Sequence, residues 1–186
     1  MLLLVGLGNP TPNSNNNRHN VGFKIVDAIN QKFGLSKQKP KFKGLLTTGT
    51  IGDKKIYAIK PLTFMNNSGI CIRELLEYFK MDAEDVIVFH DDLDVEFGKI
   101  KAKFGGSSAG HNGIASIDKF IGKDYSRVRI GIGKPENKIS VSDYVLNDFS
   151  DDEQEHLEKI TSNIIDSFSI LIDKKLDLFS STVNNK

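Results

Sequence analysis

Short continuous apolar runs alternate with amphipathic stretches along this chain. The runs at residues 2–5 and 86–89 are short, aliphatic or aromatic, and followed by polar residues, which predicts buried central strands. Elsewhere apolar positions recur at helical spacing and predict helices, marked by Val21, Ile25, Ile29 and Phe33, by Ile72, Leu75, Leu76 and Phe79, and by Ile114, Ile117 and Ile121. This alternation predicts a single α/β domain, a twisted, mixed β-sheet flanked by helices on both faces.

The same pattern predicts elements at the periphery of the sheet. Residues 45–51 and 55–59 lie on either side of a Gly-Asp pair and predict a hairpin, preceded by a basic connector at residues 37–43. Lysine alternates with apolar residues over 98–104, which is typical of a strand with one charged, solvent-facing side. Arg127 and Arg129 alternate with apolar residues in one further strand.

The C-terminal part of the chain predicts one long helix and a tail. Ser150 and Glu153 have the spacing of a capping box, and apolar residues continue at helical spacing from Leu157 to Leu171. Beyond them, residues 180–186 are predicted to be a frayed tail of the single domain formed by residues 1–186.

Polar side chains that could take part in catalysis or binding follow the predicted strands. Asn9 follows the first strand, Asn66 follows the hairpin, and Asp91 follows the run at 86–89, while His19 stands just before the first helix. Ligands of open α/β sheets bind at the carboxyl ends of the strands, so Asn9, His19 and Asp91 are expected at a ligand site, whereas Asn66 taken alone is typical of a cap or turn residue. A loop at residues 105–113 carries a histidine and an asparagine between glycines, and we expect it to bind a ligand.

Two motifs permit other functions. The first loop begins with two glycines, as in dinucleotide-binding turns, but Thr11 stands where that fingerprint requires a third glycine and prolines flank it, which disfavours a cofactor. Asp92 and Asp94 resemble the D-x-D-x-V motif of haloacid-dehalogenase-type phosphatases, which are metal-dependent. Alternatively, a carboxylate in this cluster orients a histidine base, as in catalytic triads. The motif alone leaves both chemistries open.

Composition narrows the class of protein. The 186 residues suffice for one sizeable core, and the only cysteine, Cys71, excludes an internal disulfide. The chain has no 18-residue apolar run and no basic region before the first apolar run, so neither a membrane span nor a signal peptide is expected. We therefore expect a cytoplasmic protein. The four histidines are scattered in sequence, which predicts no metal site.

The net charge of +1 conceals an asymmetric distribution. Residues 1–140 contain 21 lysines and arginines against 14 acids, whereas residues 141–186 contain 4 against 10. A basic body suits a polyanionic partner such as nucleic acid. The lysines of the 98–104 strand are consistent either with phosphate binding or with protection of a sheet edge from aggregation.

Six motifs occur in a fixed order between residues 6 and 135: GLGNP, RHNVG, PLTFMNNSG, HDDLD, KFGGSSAGHNG and RIGIGKP. Together they resemble the bacterial-type peptidyl-tRNA hydrolase family. The resemblance is specific, because six unrelated short blocks would otherwise have to coincide. It implies hydrolysis of the ester that joins a stranded peptide to tRNA, which recycles tRNA after aborted translation. A metal-dependent phosphatase and a non-catalytic RNA-binding protein are the alternatives.

The resemblance also implies the roles of individual residues. His19 matches the catalytic base of the family, and Asp91 matches the carboxylate that orients this base. The substrate-binding positions, around the ester and the peptide, are matched by Asn9, Met65, Asn66 and Asn112. No metal and no cofactor are implied, and the protein is expected to act as a monomer.

The positions expected to face tRNA are Ser14, Lys101, Lys103 and Arg129. The first loop departs from the family pattern, which usually has a tyrosine in place of Ser14, a threonine in place of Asn17 and commonly a glycine in place of Thr11. These departures place any role of that tyrosine in doubt, whereas the positions matched to catalysis are all retained.

Overall fold

The computed structural model describes residues 1–186. Its strands are β1 Leu2–Gly6, β2 Lys39–Lys41, β3 Gly44–Ile51, β4 Lys54–Pro61, β5 Val86–Asp92, β6 Ile100–Phe104 and β7 Ser126–Gly131. They form one seven-stranded sheet in the order β2-β3-β4-β1-β5-β7-β6. The four central strands are parallel, whereas β2, β3 and β6 join by antiparallel pairing. The mixed sheet predicted from the sequence is confirmed.

Helices cover both faces of this sheet, as the sequence predicts. They are α1 Val21–Lys32, α2 Ser68–Phe79, α3 Asn112–Ile121, α4 Val141–Leu146, α5 Asp151–Asp166, α6 Phe168–Ile172 and α7 Leu176–Asn184. Alternate side chains of β1 point to opposite faces, because the side chains of a strand have a period of two. Leu2 and Leu4 join the core under α1 and α5–α7, while Leu3 and Val5 join the core under α2 and α3. No helix is long and apolar enough to cross a membrane.

The parallel centre of the sheet determines where the functional residues meet. Because β4, β1 and β5 run in the same direction, the segments that follow them lie together at one edge. Gly22, in the first turn of α1, packs directly against the backbone of Phe89 and Leu7, where a β-carbon would overlap the main chain. This close approach brings the residues just before α1, including His19, to the end of β5.

The prediction of a frayed tail over residues 180–186 is wrong. The chain is helical through Asn184, and Phe179 and Val183 are buried against the core. Ser180 Oγ accepts a hydrogen bond from the Ala102 N–H at 2.8 Å, and the Asn184 side chain bonds both backbone groups of Ile100. The tail is ordered because its two apolar side chains lie four residues apart on one face and its polar side chains cover the free edge of β6.

Three other elements differ from expectation. The long last helix is divided: α5 ends at Asp166, and Ser167 separates it from α6 and, further on, α7. The basic connector contains a short exposed edge strand, β2, paired with β3. The sequence pattern did not reveal α4, because a helix of six residues is too short to establish an apolar periodicity.

Candidate active site

A cavity of about 810 Å³ opens at the carboxyl edge of the central strands. Its walls come from the loop after β1, the turn before α2, the end of β5, the glycine-rich loop before α3, and α4. The cavity gathers most of the side chains predicted to form the site, namely Asn9, Ser14, His19, Met65, Asn66, Asp91 and Asn112. Residues separated by about a hundred positions in sequence therefore share one cavity.

Asp91 stands at the centre of a hydrogen-bonded group of three side chains. Its Oδ2 lies 2.8 Å from His19 Nδ1, and its Oδ1 lies 2.8 Å from His111 Nε2. An ionised carboxylate can only accept hydrogen bonds, so each of these ring nitrogens carries a proton. In a neutral His19, Nε2 therefore has a free lone pair, on a side chain that lines the cavity.

The same two histidines keep Asp91 ionised. Burial alone would raise the pKa of this carboxyl, which is only 2% exposed. The positive potential of His111 and His19 and the hydrogen bonds they donate outweigh burial and hold the pKa of Asp91 well below its ordinary value. A fixed negative charge beside His19 can thus stabilise a proton taken up by that imidazole.

His111 has a second task that the sequence did not reveal. It is the N-cap of α3: its Nδ1 accepts hydrogen bonds from the N–H groups of Gly113 and Ile114 at 3.1 and 3.3 Å. Since Nδ1 accepts, Nε2 is the only nitrogen that carries a proton in the neutral ring, and it donates to Asp91. The sequence predicts a binding loop here but indicates no role for this histidine.

A buried neighbour, His90, stays uncharged. Burial and the proximity of His111 lower the pKa of His90 to about 3. Its Nδ1 donates to the backbone oxygen of Asp91 at 2.8 Å, while its Nε2 is buried without a partner. His90 is thereby a neutral support for the end of β5.

Two of the histidines that are scattered in the sequence lie close together in the fold. His19, Asp91 and His111 bring their potential ligand atoms within 4.8 Å of one another. Imidazole and carboxylate are ligand types that Zn²⁺ accepts. These atoms already bond one another, however, and a metal ion would have to replace both hydrogen bonds to Asp91.

Asn9 is held by Asn20, another residue whose role the sequence did not reveal. The Asn20 side chain accepts from the Asn9 N–H at 2.8 Å and donates to the Asn9 carbonyl at 2.9 Å, and it makes no cap bond to α1. Asn9 Oδ1 in turn accepts from the Met65 N–H at 2.9 Å. With its oxygen engaged and its backbone fixed, Asn9 offers the cavity its amide N–H groups.

The remaining predicted asparagines also line the cavity. Asn66 is on a single 3₁₀ turn before α2, and Asn112 is the first residue of α3; both are exposed and neither side chain has a hydrogen-bond partner. Met65 is buried beneath them and packs against Gly113, where a β-carbon would lie 2.5 Å from the Met65 sulfur. Met65 therefore forms an apolar floor, with free amides around it.

Arg18 fastens α4 to the segment that carries His19. Its Nη1 donates to the carbonyls of Tyr144, Asn147 and Asp148 at 3.3 Å, and its Nη2 pairs with Glu153 at 3.1 Å. Through this contact α4 supplies an apolar wall of the cavity, formed by Val141, Val145 and Leu146. Neither this helix nor its attachment is predicted from the sequence.

The basic residues lie on one face of the strand pair β6 and β7. Lys101 pairs in register with Arg129 and Lys103 with Arg127, which places all four side chains on the same side of the sheet. Burial and the charges of Arg129 and Arg127 lower the pKa of Lys103, so an anion bound here would relieve repulsion among these cations. Ser14 is not part of this face: it is buried, and its hydroxyl bonds Thr11 Oγ1 at 2.6 Å.

Asp92 and Asp94, the carboxylates that the phosphatase alternative requires, are bonded to other residues. Asp92 Oδ2 accepts from Arg129 Nε at 2.7 Å, and Asp92 Oδ1 accepts from the Asp94 N–H at 2.8 Å. Asp94 itself lies 3.4 Å from the ammonium of Lys134. A nucleophile paired with an arginine in this way is a poor one, so the arrangement does not support that alternative.

Comparisons with known proteins identify one family. The sequence model of the family described as peptidyl-tRNA hydrolase matches residues 3–186. A peptidyl-tRNA hydrolase of Pelagibacter ubique is 82% identical over 186 residues, covering 100% of both chains. One from a Wolbachia strain is 49% identical over 166 residues, covering 88% of this chain and 91% of the relative.

Solved structures agree with these relatives. The crystal structure of peptidyl-tRNA hydrolase from Acinetobacter baumannii superposes with a TM-score of 0.91 at 33% identity, covering 99% of this chain and 94% of that one. The resemblance inferred from the six sequence motifs is thereby confirmed over nearly the whole length. This chain belongs to the peptidyl-tRNA hydrolase family, whose members cleave the ester bond of peptidyl-tRNA.

Proposed function

We propose that His19 is the general base of this hydrolase and that Asp91 orients it. The observation that carries the proposal is the hydrogen bond between His19 Nδ1 and Asp91, which leaves Nε2 free on a residue of the cavity wall. An imidazole in this tautomer can take a proton from water, and a neighbouring carboxylate stabilises the imidazolium that results.

The proposed reaction proceeds in two steps. His19 Nε2 takes a proton from a water molecule while the water oxygen forms a bond to the ester carbonyl carbon, and the carbonyl electrons move onto oxygen. The tetrahedral intermediate then collapses, the bond to the ribose oxygen breaks, and the proton held by His19 passes to that oxygen. The products are a peptide carboxylic acid and tRNA with a free hydroxyl.

The asparagines of the cavity supply the polar contacts that this reaction needs. Because Asn9 Oδ1 is engaged by Met65, we assign Asn9 the role of a donor to a carbonyl oxygen. Asn66 and Asn112 have free amides, which can both donate to and accept from a peptide backbone. Amide donors aimed at the developing oxyanion lower the barrier to ester hydrolysis.

Chelation separates this mechanism from metal-dependent chemistry. After dialysis against EDTA and removal of the chelator, the enzyme is expected to cleave N-acetyl-aminoacyl-tRNA at an unchanged rate, since a hydrogen-bonded histidine needs no ion to activate water. Single-turnover release of the acyl group measures this rate. Loss of cleavage that returns with added divalent metal would contradict the proposal and point to a metal at His19, Asp91 and His111.

We further propose that tRNA phosphates bind the basic face of β6 and β7. Lys101 is exposed and Lys103 is partly exposed, whereas Arg129 is paired with Asp92. This face adjoins the glycine-rich loop of the cavity, so an acceptor end lying along it would reach the site. We also propose that the protein acts as a monomer in the cytoplasm, because every residue assigned a role in cleavage belongs to the same chain.

Salt dependence tests the basic face. Lys103→Ala is expected to weaken tRNA binding and to reduce the slope of log affinity against log salt by roughly 0.7 to 0.9, the loss of one phosphate contact. Lys55→Ala removes an exposed lysine at the far end of β4 and serves as the matched control. If both variants keep the wild-type slope, the lysines of β6 protect a sheet edge and do not bind RNA.

A further inference from the structure

Arg127 is buried beneath the glycine-rich loop, residues 105–111, that connects β6 to α3. Its side chain is 1% exposed, although it belongs to the same strand face as the lysines. Its Nη1 donates to the Ser107 carbonyl at 2.8 Å, and its Nη2 donates to the Gly106 carbonyl at 3.0 Å. A buried guanidinium therefore holds two consecutive carbonyls of this loop.

The other side of the same guanidinium contacts α3. Nη2 also lies 3.0 Å from Asp118 Oδ1, an oxygen that accepts a second bond from the Tyr125 hydroxyl at 2.8 Å. The guanidinium carbon sits 4.7 Å from the centre of the Tyr125 ring. Asp118 thus balances the buried charge, while the planar fork of arginine reaches loop and helix together.

Apart from Arg127, the loop is attached at its two ends: the Gly105 N–H donates to the Tyr125 carbonyl at 2.9 Å, and His111 bonds Asp91 at 2.8 Å. Gly105, Gly106, Ala109 and Gly110 all have positive φ angles, between 46° and 108°, and most of the loop is exposed. Its internal bonds, such as that from the His111 N–H to the Ser108 carbonyl, close the turn without attaching it to the sheet. Arg127 is the one side chain from outside the loop that bonds its backbone.

The loop leads directly into the site. His111 at its end donates to Asp91, and Asn112 follows with a free amide in the cavity wall. At its other end, Gly106 packs against the Lys103 ammonium, where a β-carbon would lie 2.5 Å from Nζ. The position of the loop therefore determines both the support of Asp91 and the distance between the basic face and the cavity.

We infer that Arg127 is a positioning residue for ester cleavage, which acts by fixing the glycine-rich loop and with it His111 and Asn112. The inference rests on the proposed roles of Asp91 and Asn112. Lysine at this position would keep the positive charge beside Asp118 but could not hold both loop carbonyls, because its single ammonium lacks the planar fork. A displacement of the order of 1 Å at a reacting group can cost about 10²-fold in rate.

The test compares Arg127→Lys with Asp118→Asn. We expect Arg127→Lys to lower kcat by roughly 10- to 10²-fold with KM for tRNA little changed, because the lysines of β6 remain in place. Asp118→Asn disturbs the same buried cluster on the side away from the loop, and we expect it to lower Tm but to keep kcat near the wild-type value. Amide hydrogen exchange at residues 106–111 should accelerate in Arg127→Lys alone.

Each result decides the matter. Wild-type kcat in folded Arg127→Lys would overturn the inference. Equal losses of kcat in both variants, in step with Tm, or a failure of Arg127→Lys to fold at the assay temperature, would also overturn it, since Arg127 would then serve the stability of the fold. Wild-type protein that fails to cleave N-acetyl-aminoacyl-tRNA would instead contradict the proposed function, and this rate is measured first.

Discussion

Asp91→Asn is expected to lower the rate of ester cleavage by up to roughly 10⁴-fold, the loss seen when the aspartate of a catalytic triad becomes asparagine. The amide has one accepting oxygen and one donating NH₂ group, yet it would face two imidazole N–H donors. His111 cannot change its tautomer without losing its two bonds to the backbone of α3, so the amide oxygen must turn toward His111.

The consequence falls on His19. With the amide NH₂ group facing it, His19 Nδ1 must become the acceptor, and the proton of the neutral ring moves to Nε2. The nitrogen that should receive a proton from water then already carries one. The loss of rate comes from the wrong tautomer as well as from the missing negative charge.

Single-turnover cleavage of N-acetyl-aminoacyl-tRNA at saturating enzyme measures this effect, because the rate then does not depend on the affinity for tRNA. Asp94→Asn is the matched control, because Asp94 is an exposed acid of the same cavity that does not touch His19 or His111. If folded Asp91→Asn cleaves as fast as the wild type, Asp91 does not orient the catalytic base. Binding of uncharged tRNA should be the same in all three proteins.

The sequence was sufficient to predict the central strands of the sheet and the edge at which the site residues lie. Continuous apolar runs predict β1 and β5, because strands buried on both faces need apolar side chains throughout. The polar residues that interrupt these runs, Asn9 and Asp91, must then lie where the strands end. Parallel pairing brings those ends together, which is why residues far apart in sequence could be assigned to one site.

The contacts that hold the site residues in place could not be predicted from the local sequence pattern. Asn20 has the position of a helix cap, and nothing nearby indicates that its side chain instead spans eleven residues to hold Asn9. His111 caps α3 and bonds Asp91 across twenty residues, and Arg18 reaches α4 across more than a hundred. Such contacts depend on tertiary packing, so periodicity and propensity carry no trace of them.

The prediction for the C-terminal segment was wrong for a different reason. Apart from Val183, residues 180–186 are polar, and polar terminal residues usually fray. Here Ser180 and Asn184 are polar because they bond the backbone of β6, an edge strand with free N–H and C=O groups. Composition cannot distinguish a solvated tail from one whose polar groups cover a sheet edge.

His19→Asn is expected to lower the rate by roughly 10²–10⁴-fold, the usual contribution of a positioned general base. The Asn side chain can place an N–H near the position of His19 Nδ1 and so preserve the bond to Asp91, but it has no basic nitrogen toward the cavity. Alanine at this position would leave an oxygen of buried Asp91 without its donor, at a cost of about 1–3 kcal/mol in stability. The asparagine variant therefore removes the base while it keeps the hydrogen bond to Asp91.

The role of His19 as general base is tested most directly by single-turnover cleavage of N-acetyl-aminoacyl-tRNA by folded His19→Asn, with tRNA affinity measured on the same protein. We expect a rate lower by roughly 10²–10⁴-fold at unchanged affinity. A wild-type rate in this variant would contradict this role, because another group would then have to activate the water.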